Sequence, residues 1–255
     1  MTLPADRKAL LFSAGGVRLA LRLAHLREIV AVAPEDGEVT ARGERYPGAF
    51  VSTVLGLPGG PSPFALLTEG HPQVALRVEA LHGIVDLASA EVFQLPAATR
   101  LPQPPPFAGA VVAGGEVALE LAVGTLGFAP LEPALETAEA PPDLGLAAPR
   151  ELRFARAGRV YAVPLALVVQ VIEGARLAPV PLTPPSHRGL LVHGRALHPV
   201  LDLAVWYGAP EAGPARTVLL VDAGGAGVGV VADRVLGAGE GEDVIRPPWD
   251  ALFTA

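Results

Sequence analysis

Cysteine is absent from the 255 residues and lysine occurs once, at Lys8. The first absence removes disulfides, thiolate chemistry and Cys-ligated zinc. Acidic residues outnumber basic ones, 26 to 19, for a net charge of −7, and no run of like charge stands out. General affinity for nucleic acid needs clustered Lys/Arg to displace counterions, so no nucleic-acid partner is expected. Long apolar stretches are also missing. The opening MTLPADRKALLF has no signal-type core and no segment reaches bilayer-spanning length. A cytoplasmic protein with no direct membrane insertion is expected. Catalytic settings are equally scarce: none of the five serines lies in a G-x-S-x-G context, no Walker A sequence is present, and no carboxylate pair stands apart from ordinary surface acids. No enzymatic activity and no cofactor are expected.

Two features need weighing against that background. His187, His193 and His198 are separated by six and five residues. On a strand, a gap of six keeps one face and a gap of five crosses to the other, so partly exposed turn histidines are expected rather than a metal site. The cluster Gly224-Gly225-Ala226-Gly227-Val228-Gly229 misses G-x-G-x-x-G, because Val230 stands where the last glycine belongs. The β-branched VGVVAD that follows is too short for a phosphate-binding helix, and a hairpin turn is the expected reading.

What the chain does contain is a repeat. LLFSAGGVRLALRLAHLREIV overlies LRFARAGRVYAVPLALVVQVI without a gap, placing Phe12 on Phe154, Gly16 on Gly158 and Ala20 on Ala162, an offset of 142 (158 − 16). Further on VALRVEALHG overlies VGVVADRVLG, with Val74 on Val228, Glu79 on Asp233 and Gly83 on Gly237, an offset of 154 (237 − 83). Two copies of so long a unit are two globular domains rather than a solenoid. Residues 1–128 form the first, 150–255 the second, and 129–149 a Pro/Ala/Glu-rich linker. As a flexible coil that linker spans roughly 25 Å.

Each copy opens with strand, Gly turn and strand, as in LRFAR-Ala157-Gly158-RVYAVP. A short helix is expected over LAHLREIV, where Leu23, Leu26, Ile29 and Val30 have helical spacing, and over LALVVQVIEG in the second copy. The remainder reads as short strands with frequent turn signals, which predicts a mainly β architecture of small antiparallel barrels or sandwiches.

The second copy also carries an ordered set of motifs: the hairpin RFARAGRVYAVP, a V-x-x-V segment, Pro179-Val180-Pro181, RGLLVHGRALHPVLDL, and Ala232-Asp233-Arg234-Val235-Leu236-Gly237. Their order resembles the CheW domain, the adaptor module of bacterial chemotaxis, whose core reads R-G…P-V-x-D-L; Arg188-Gly189, Pro199-Val200, Asp202 and Leu203 are in place. The first copy shares the opening hairpin and VEALHG, and its FAGAVVAGGEVALELAV resembles the family's closing strands. Between its helix and later hairpin it has only ARGERYPGAFVSTVLGL, so the R-G…P-V-x-D-L core is expected to be missing there. The second copy reaches Trp249–Ala255 with no counterpart of the closing strands. Where the family often has Arg-Gly in the turn before P-V-x-D-L, this chain has His193-Gly194-Arg195, which moves the arginine to the opposite face of the strand.

The resemblance implies two CheW-like domains, each of small SH3-like antiparallel β-barrels with a short helix. It further implies a non-enzymatic adaptor that bridges a CheA-like histidine kinase and the cytoplasmic tips of chemoreceptors, with a helical tip lying in a groove. The partner-contact candidates are Arg188, Arg195, His193, Val200, Asp202 and Tyr207. Asp202 is also suited to capping the turn before AVWYG, and Trp206 to the core. Two alternatives stay open: the same fold in another chemosensory-like pathway, such as gliding or pilus motility, and a small-ligand protein or enzyme using the groove between barrels.

Overall fold

The structure is a computed structural model, and it describes residues 7–33, 37–69, 73–126, 129–135, 150–210, 213–223, 225–239 and 243–249. Most of the expected linker, residues 136–149, Gly224 of the glycine cluster and residues 250–255 lie outside the described residues. The chain divides into two compact units. One comprises Met1–Leu95, Leu101–Ala134 and Val180–Leu182, the other Pro96–Arg100, Leu135–Pro179 and Thr183–Ala255.

The first unit begins with β1 (Lys8–Ala14) and β2 (Val17–Arg22), joined at Ala14↔Val17 by Gly15-Gly16, both at positive φ (57° and 76°). A two-residue hairpin turn that follows the strand twist requires that conformation. A 3-10 turn, Leu23–His25, leads into β3 (Leu26–Ala31), then β4 (Glu38–Ala41), β5 (Glu44–Phe50) and the four-residue α1 (Val51–Val54). β6 (Phe64–Thr68), β7 (Ala75–Val78), β8 (Ala80–Asp86), β9 (Glu91–Phe93), β10 (Phe107–Ala113) and β11 (Glu116–Leu121) follow. They form a six-stranded sheet, β8-β1-β2-β11-β10-β9, and a five-stranded sheet, β3-β6-β7-β5-β4. In the second sheet β5 and β7 run parallel and every other pair is antiparallel.

The second unit repeats this plan. β12 (Glu151–Arg156), β13 (Arg159–Pro164) and β14 (Val168–Ile172) precede β15 (His187–His193), β16 (Ala196–Leu201) and α2 (Leu203–Trp206). β17 (Thr217–Ala223), β18 (Ala226–Ala232) and β19 (Arg234–Ala238) complete it. The five-stranded order β14-β17-β18-β16-β15 matches that of the first unit strand for strand, with the parallel pair β16/β18 in the same place. Bulges match too. β1 shifts register against β8 beside Gly83 (φ +112°), and β12 shifts against β19 beside Gly237 (φ +95°). In each case the skipped residue, His82 or Leu236, precedes a paired glycine whose positive φ a side chain would disfavour.

Two expectations are corrected. LAHLREIV and LALVVQVIEG are not helices: each is a single 3-10 turn followed by a strand, β3 or β14. β3 hydrogen-bonds to β6 and β14 to β17, and the β-branched Val168, Val169, Val171 and Ile172 favour that extended pairing over an isolated helical turn. Nor has the first copy lost its middle hairpin. β4–β5 occupies the place of β15–β16, and Pro47-Gly48-Ala49-Phe50-Val51 overlies Pro199-Val200-Leu201-Asp202-Leu203 at an offset of 152 (199 − 47). What the first copy lacks is the proline-rich lead: six residues separate β3 from β4, against fourteen between β14 and β15.

The first sheet is where the units differ most. In the second unit it has three strands, β13-β12-β19, and nothing equivalent to β9–β11 pairs with it among the described residues. Ile245 takes part of that role. Its N–H donates to the Val160 carbonyl and its carbonyl accepts from the Ala162 N–H, both at 2.9 Å, as a parallel bridge to Tyr161. Tyr161 overlies Leu19, the residue that β11 pairs in the first unit. Trp249 donates its indole N–H to the Ala162 carbonyl at 3.0 Å and joins the core of Phe154, Tyr161, Val163, Leu201, Leu203 and Trp206. Arg246 pairs with the buried Glu151 at 3.0 Å and holds this segment down.

Candidate docking surfaces

The P-V-x-D-L hairpin is built around a buried charge network. Arg156, at the end of β12, donates from Nε and Nη2 to the same Asp202 oxygen, at 3.0 and 2.6 Å, and from Nη1 to Asp233 at 2.6 Å. Nη2 also donates to the Gly213 carbonyl at 2.8 Å. Burial works against the guanidinium charge, but the hydrogen bonds and charges of the two aspartates outweigh it and raise the Arg156 pKa. Asp202 is fully buried and its second oxygen caps α2 by accepting the Ala204 N–H at 3.2 Å. The first copy replaces this network with an apolar arrangement. Phe50 stands at the Asp202 position and Ala14 at the Arg156 position, and the buried Arg77 guanidinium lies 5.1 Å from the Phe50 ring.

The partner-contact candidates fall into two groups. Val200, Asp202 and Tyr207 are buried: Val200 lies under Leu191, Val218 and Val231, and Tyr207 stacks on Tyr161 with ring centroids 6.5 Å apart. Arg195 is exposed in the β15–β16 turn, and His193 and Arg188 are half-buried on β15. Trp206 is core, with the Arg100 guanidinium 3.9 Å from its ring centre.

The histidines do not converge. The His193 and His198 rings are 6.4 Å apart, and His198 Nδ1 is 3.0 Å from the Gly227 carbonyl. His187 is buried at the start of β15, and burial pushes its pKa down to about 4. The glycine cluster is a hairpin turn. β17 and β18 pair from Thr217↔Ala232 to Ala223↔Ala226, and Asp222 accepts the Gly225 N–H at 2.8 Å. Gly227 and Gly229 have a packing role, since an added Cβ would meet His198 Nδ1 at 2.6 Å and Val200 at 2.8 Å.

One surface was not anticipated from the sequence. β14 is the last strand of its sheet, and it exposes Val169 (58%) and Val171 (36%), with Leu165 (40%) just before it. In the first copy the same positions on β3 carry Arg27, Ile29 and Leu23. Arg27 is engaged there: Nη1 donates to the Tyr46 hydroxyl at 2.9 Å, and that hydroxyl donates to Glu44 at 2.6 Å. The Tyr46 hydrogen bond, then the Arg27 charge, hold Glu44 below the usual carboxylate range. The apolar composition of LALVVQV was visible in the sequence, but its placement on an edge strand required recognising the strand.

Residues 151–243 match the family model of the CheW-like domain. No curated protein matches the chain. Among solved structures, the scaffolding protein TtCheW from Thermoanaerobacter tengcongensis is similar at 16% identity with a TM-score of 0.39, over 46% of this chain and 88% of that one.

Proposed function

We propose, from the match of residues 151–243 to the family model of the CheW-like domain, that this protein is a cytoplasmic, non-enzymatic adaptor in chemotaxis-type signal transduction. It joins a CheA-like histidine kinase to the cytoplasmic tips of chemoreceptors, and the second copy carries the recognition. The observation behind this reading is the exposed aliphatic set of Val169 and Val171 on the edge strand β14 with Leu165 in the turn before it. Clustered exposed aliphatic side chains mark docking surfaces, and an amphipathic receptor helix presents the complementary face. His193 and Arg195 lie at the tip of the β15–β16 hairpin, whose strand β15 stands at the other end of the same sheet's strand order. Among the described residues no helix is long and apolar enough to cross a membrane.

The test is direct binding of the full chain to a CheA-like kinase and to a receptor-tip fragment from the same genome. Val169→Glu is expected to weaken one of these at least tenfold, about 1.4 kcal/mol, with the melting temperature unchanged. Ile29→Glu in the first copy is expected to leave both intact. Binding of neither protein, or equal losses from the two substitutions, would overturn the reading.

A further inference from the structure

The second unit contains an open cleft of about 470 Å³, walled by Ala157, Ala209 and Pro210 and lined by Arg156, Arg159 and Asp233. It lies at the β12–β13 turn, and no residue of β14 or of the β15–β16 hairpin is among those that line it. The first copy is closed at this place. Gly15 overlies Ala157, and a Cβ there would lie 2.4 Å from the Leu57 Cβ and 3.0 Å from the Pro58 carbonyl, so loop and turn are packed together. Leu57 and Pro58 overlie Ala209 and Pro210 at the offset of 152 (209 − 57). Loss of the leucine side chain removes the lid of the first copy.

The lining has changed in the same direction. Ala14 and Val17, both buried and apolar, give way to Arg156 and Arg159. The Arg156 charge is matched by Asp202 and Asp233. Arg159 donates from Nη1 to the neutral Tyr207 carbonyl at 3.0 Å and also acts on the Tyr161 hydroxyl, and no acidic side chain pairs with it among the described residues. A half-buried guanidinium that faces no carboxylate among the described residues is a ready site for one, because its planar donors fit a carboxylate in bidentate fashion. The turn itself is strained. Ala157 adopts φ +50° where the first copy uses glycine, and its N–H donates to Asp233 at 2.9 Å. A non-glycine residue held in that region, beside a cleft, points to function rather than to packing.

We propose that this cleft binds a carboxylate, with Arg159 as its anchor. The carboxylate of a free organic acid and that of an acidic side chain on a partner segment present the same chemistry. Asp233 and the Gly213 carbonyl then accept from a hydroxyl or amide N–H beside the carboxylate, so an acid that also carries a donor fits best. The volume of the cleft falls within the range of small-molecule sites.

The experiment is titration of the full chain, followed by melting temperature and calorimetry, with three probes: L-malate, an N-acetylated and C-amidated Gly-Glu-Gly peptide, and the neutral diamide malamide. Malate or the peptide is expected to give a saturable stabilisation that malamide does not. A response to malate assigns the site to free acids; a response to the peptide alone assigns it to a partner's acidic side chain. Arg159→Gln is expected to weaken binding at least tenfold, whereas Arg45→Gln, at an exposed position on β5 of the first unit, leaves it unchanged. Ala209→Leu restores the first copy's residue without altering charge, and it is expected to abolish binding by refilling the cleft. Absence of a saturable response to both acids, or a response that survives Arg159→Gln and Ala209→Leu unchanged, overturns the proposal.

Discussion

The five-stranded sheets of the two copies share strand order, parallel pair and register, yet they fill one layer of the core with different side chains. In the first copy the layer is Gly48, Ala65 and Ala75, with the buried stem of Arg77 beside Gly48. In the second the same positions hold Val200, Val218 and Gly229, and Val231 replaces the arginine. The small residue sits on a different strand in each copy, and the backbone pairing stays the same although no position in the layer keeps its residue. The same holds for charge. The second copy neutralises Arg156 with Asp202 and Asp233, while the first seats Arg77 against the Ser62 and Ala33 carbonyls and the Phe50 ring.

The sharpest way to separate the copies is to break that charge network. Asp202→Ala leaves a buried guanidinium short of a partner and uncaps α2, and it is expected to cost the second unit about 3–5 kcal/mol. Adding Arg156→Met should recover part of the loss, because the orphaned charge is gone. Urea unfolding of the single and double variants measures both, and an additive pair of losses would contradict the network.

The second difference is pH dependence. His187 is neutral in the fold, its pKa held down to about 4 by burial against 6.5 when unfolded. Its contribution is therefore complete above pH 6.5 and is lost as the pH falls towards 4, where the unfolded chain takes up the proton first. The gap corresponds to about 3 kcal/mol over that window. A different hairpin, β10–β11, shows the same bulged pairing with an apolar residue: Phe107 pairs with Leu121 as His187 pairs with Leu201. His187→Phe is expected to flatten the acid limb of the stability–pH curve. It also removes a buried Nε2 that has no hydrogen-bond partner. An unchanged acid limb would place the sensitivity elsewhere.

A smaller effect probes the shared core layer. Gly229→Ala places a methyl group 2.8 Å from both Val200 and Val218, and it should cost about 1–3 kcal/mol. Adding Val218→Ala, the residue at the same position in the first copy, should return most of that. Thermal melts of the pair would show it, and no recovery would mean that the layers are not interchangeable.

These contrasts explain which parts of the fold could be read in the sequence. The opening hairpin, its Gly16/Gly158 turn and the Gly83/Gly237 bulge were legible because backbone conformation demands the same residue in both copies. The middle hairpin of the first copy was not, because P-V-x-D-L survives there only as Pro47 followed by Gly-Ala-Phe-Val. Its recognisable residues were traded against neighbours on other strands. The strands β3 and β14 were read as helices because Leu23, Leu26, Ile29 and Val30 fit a helical period as well as they fit an edge strand. At the candidate sites, the hairpin tip was readable from the motif. The network of Arg156 was not, since its partners lie 46 and 77 residues away in the chain.

The bridge at Ile245 has a consequence for how the second unit opens. In the first unit β11 is held on β2 by its own hairpin, and removing it means melting β10 as well. In the second, two backbone hydrogen bonds, one indole and the Arg246–Glu151 pair guard the β13 edge. That patch can detach while both sheets stay intact, so the Ala162 amide should exchange with solvent at a lower free energy than its equivalent, Ala20, in the first unit. Each detachment uncovers a bare strand edge beside Phe154 and Tyr161, the kind of surface on which strands of separate molecules pair. Association in concentrated solution is therefore expected to begin at this edge.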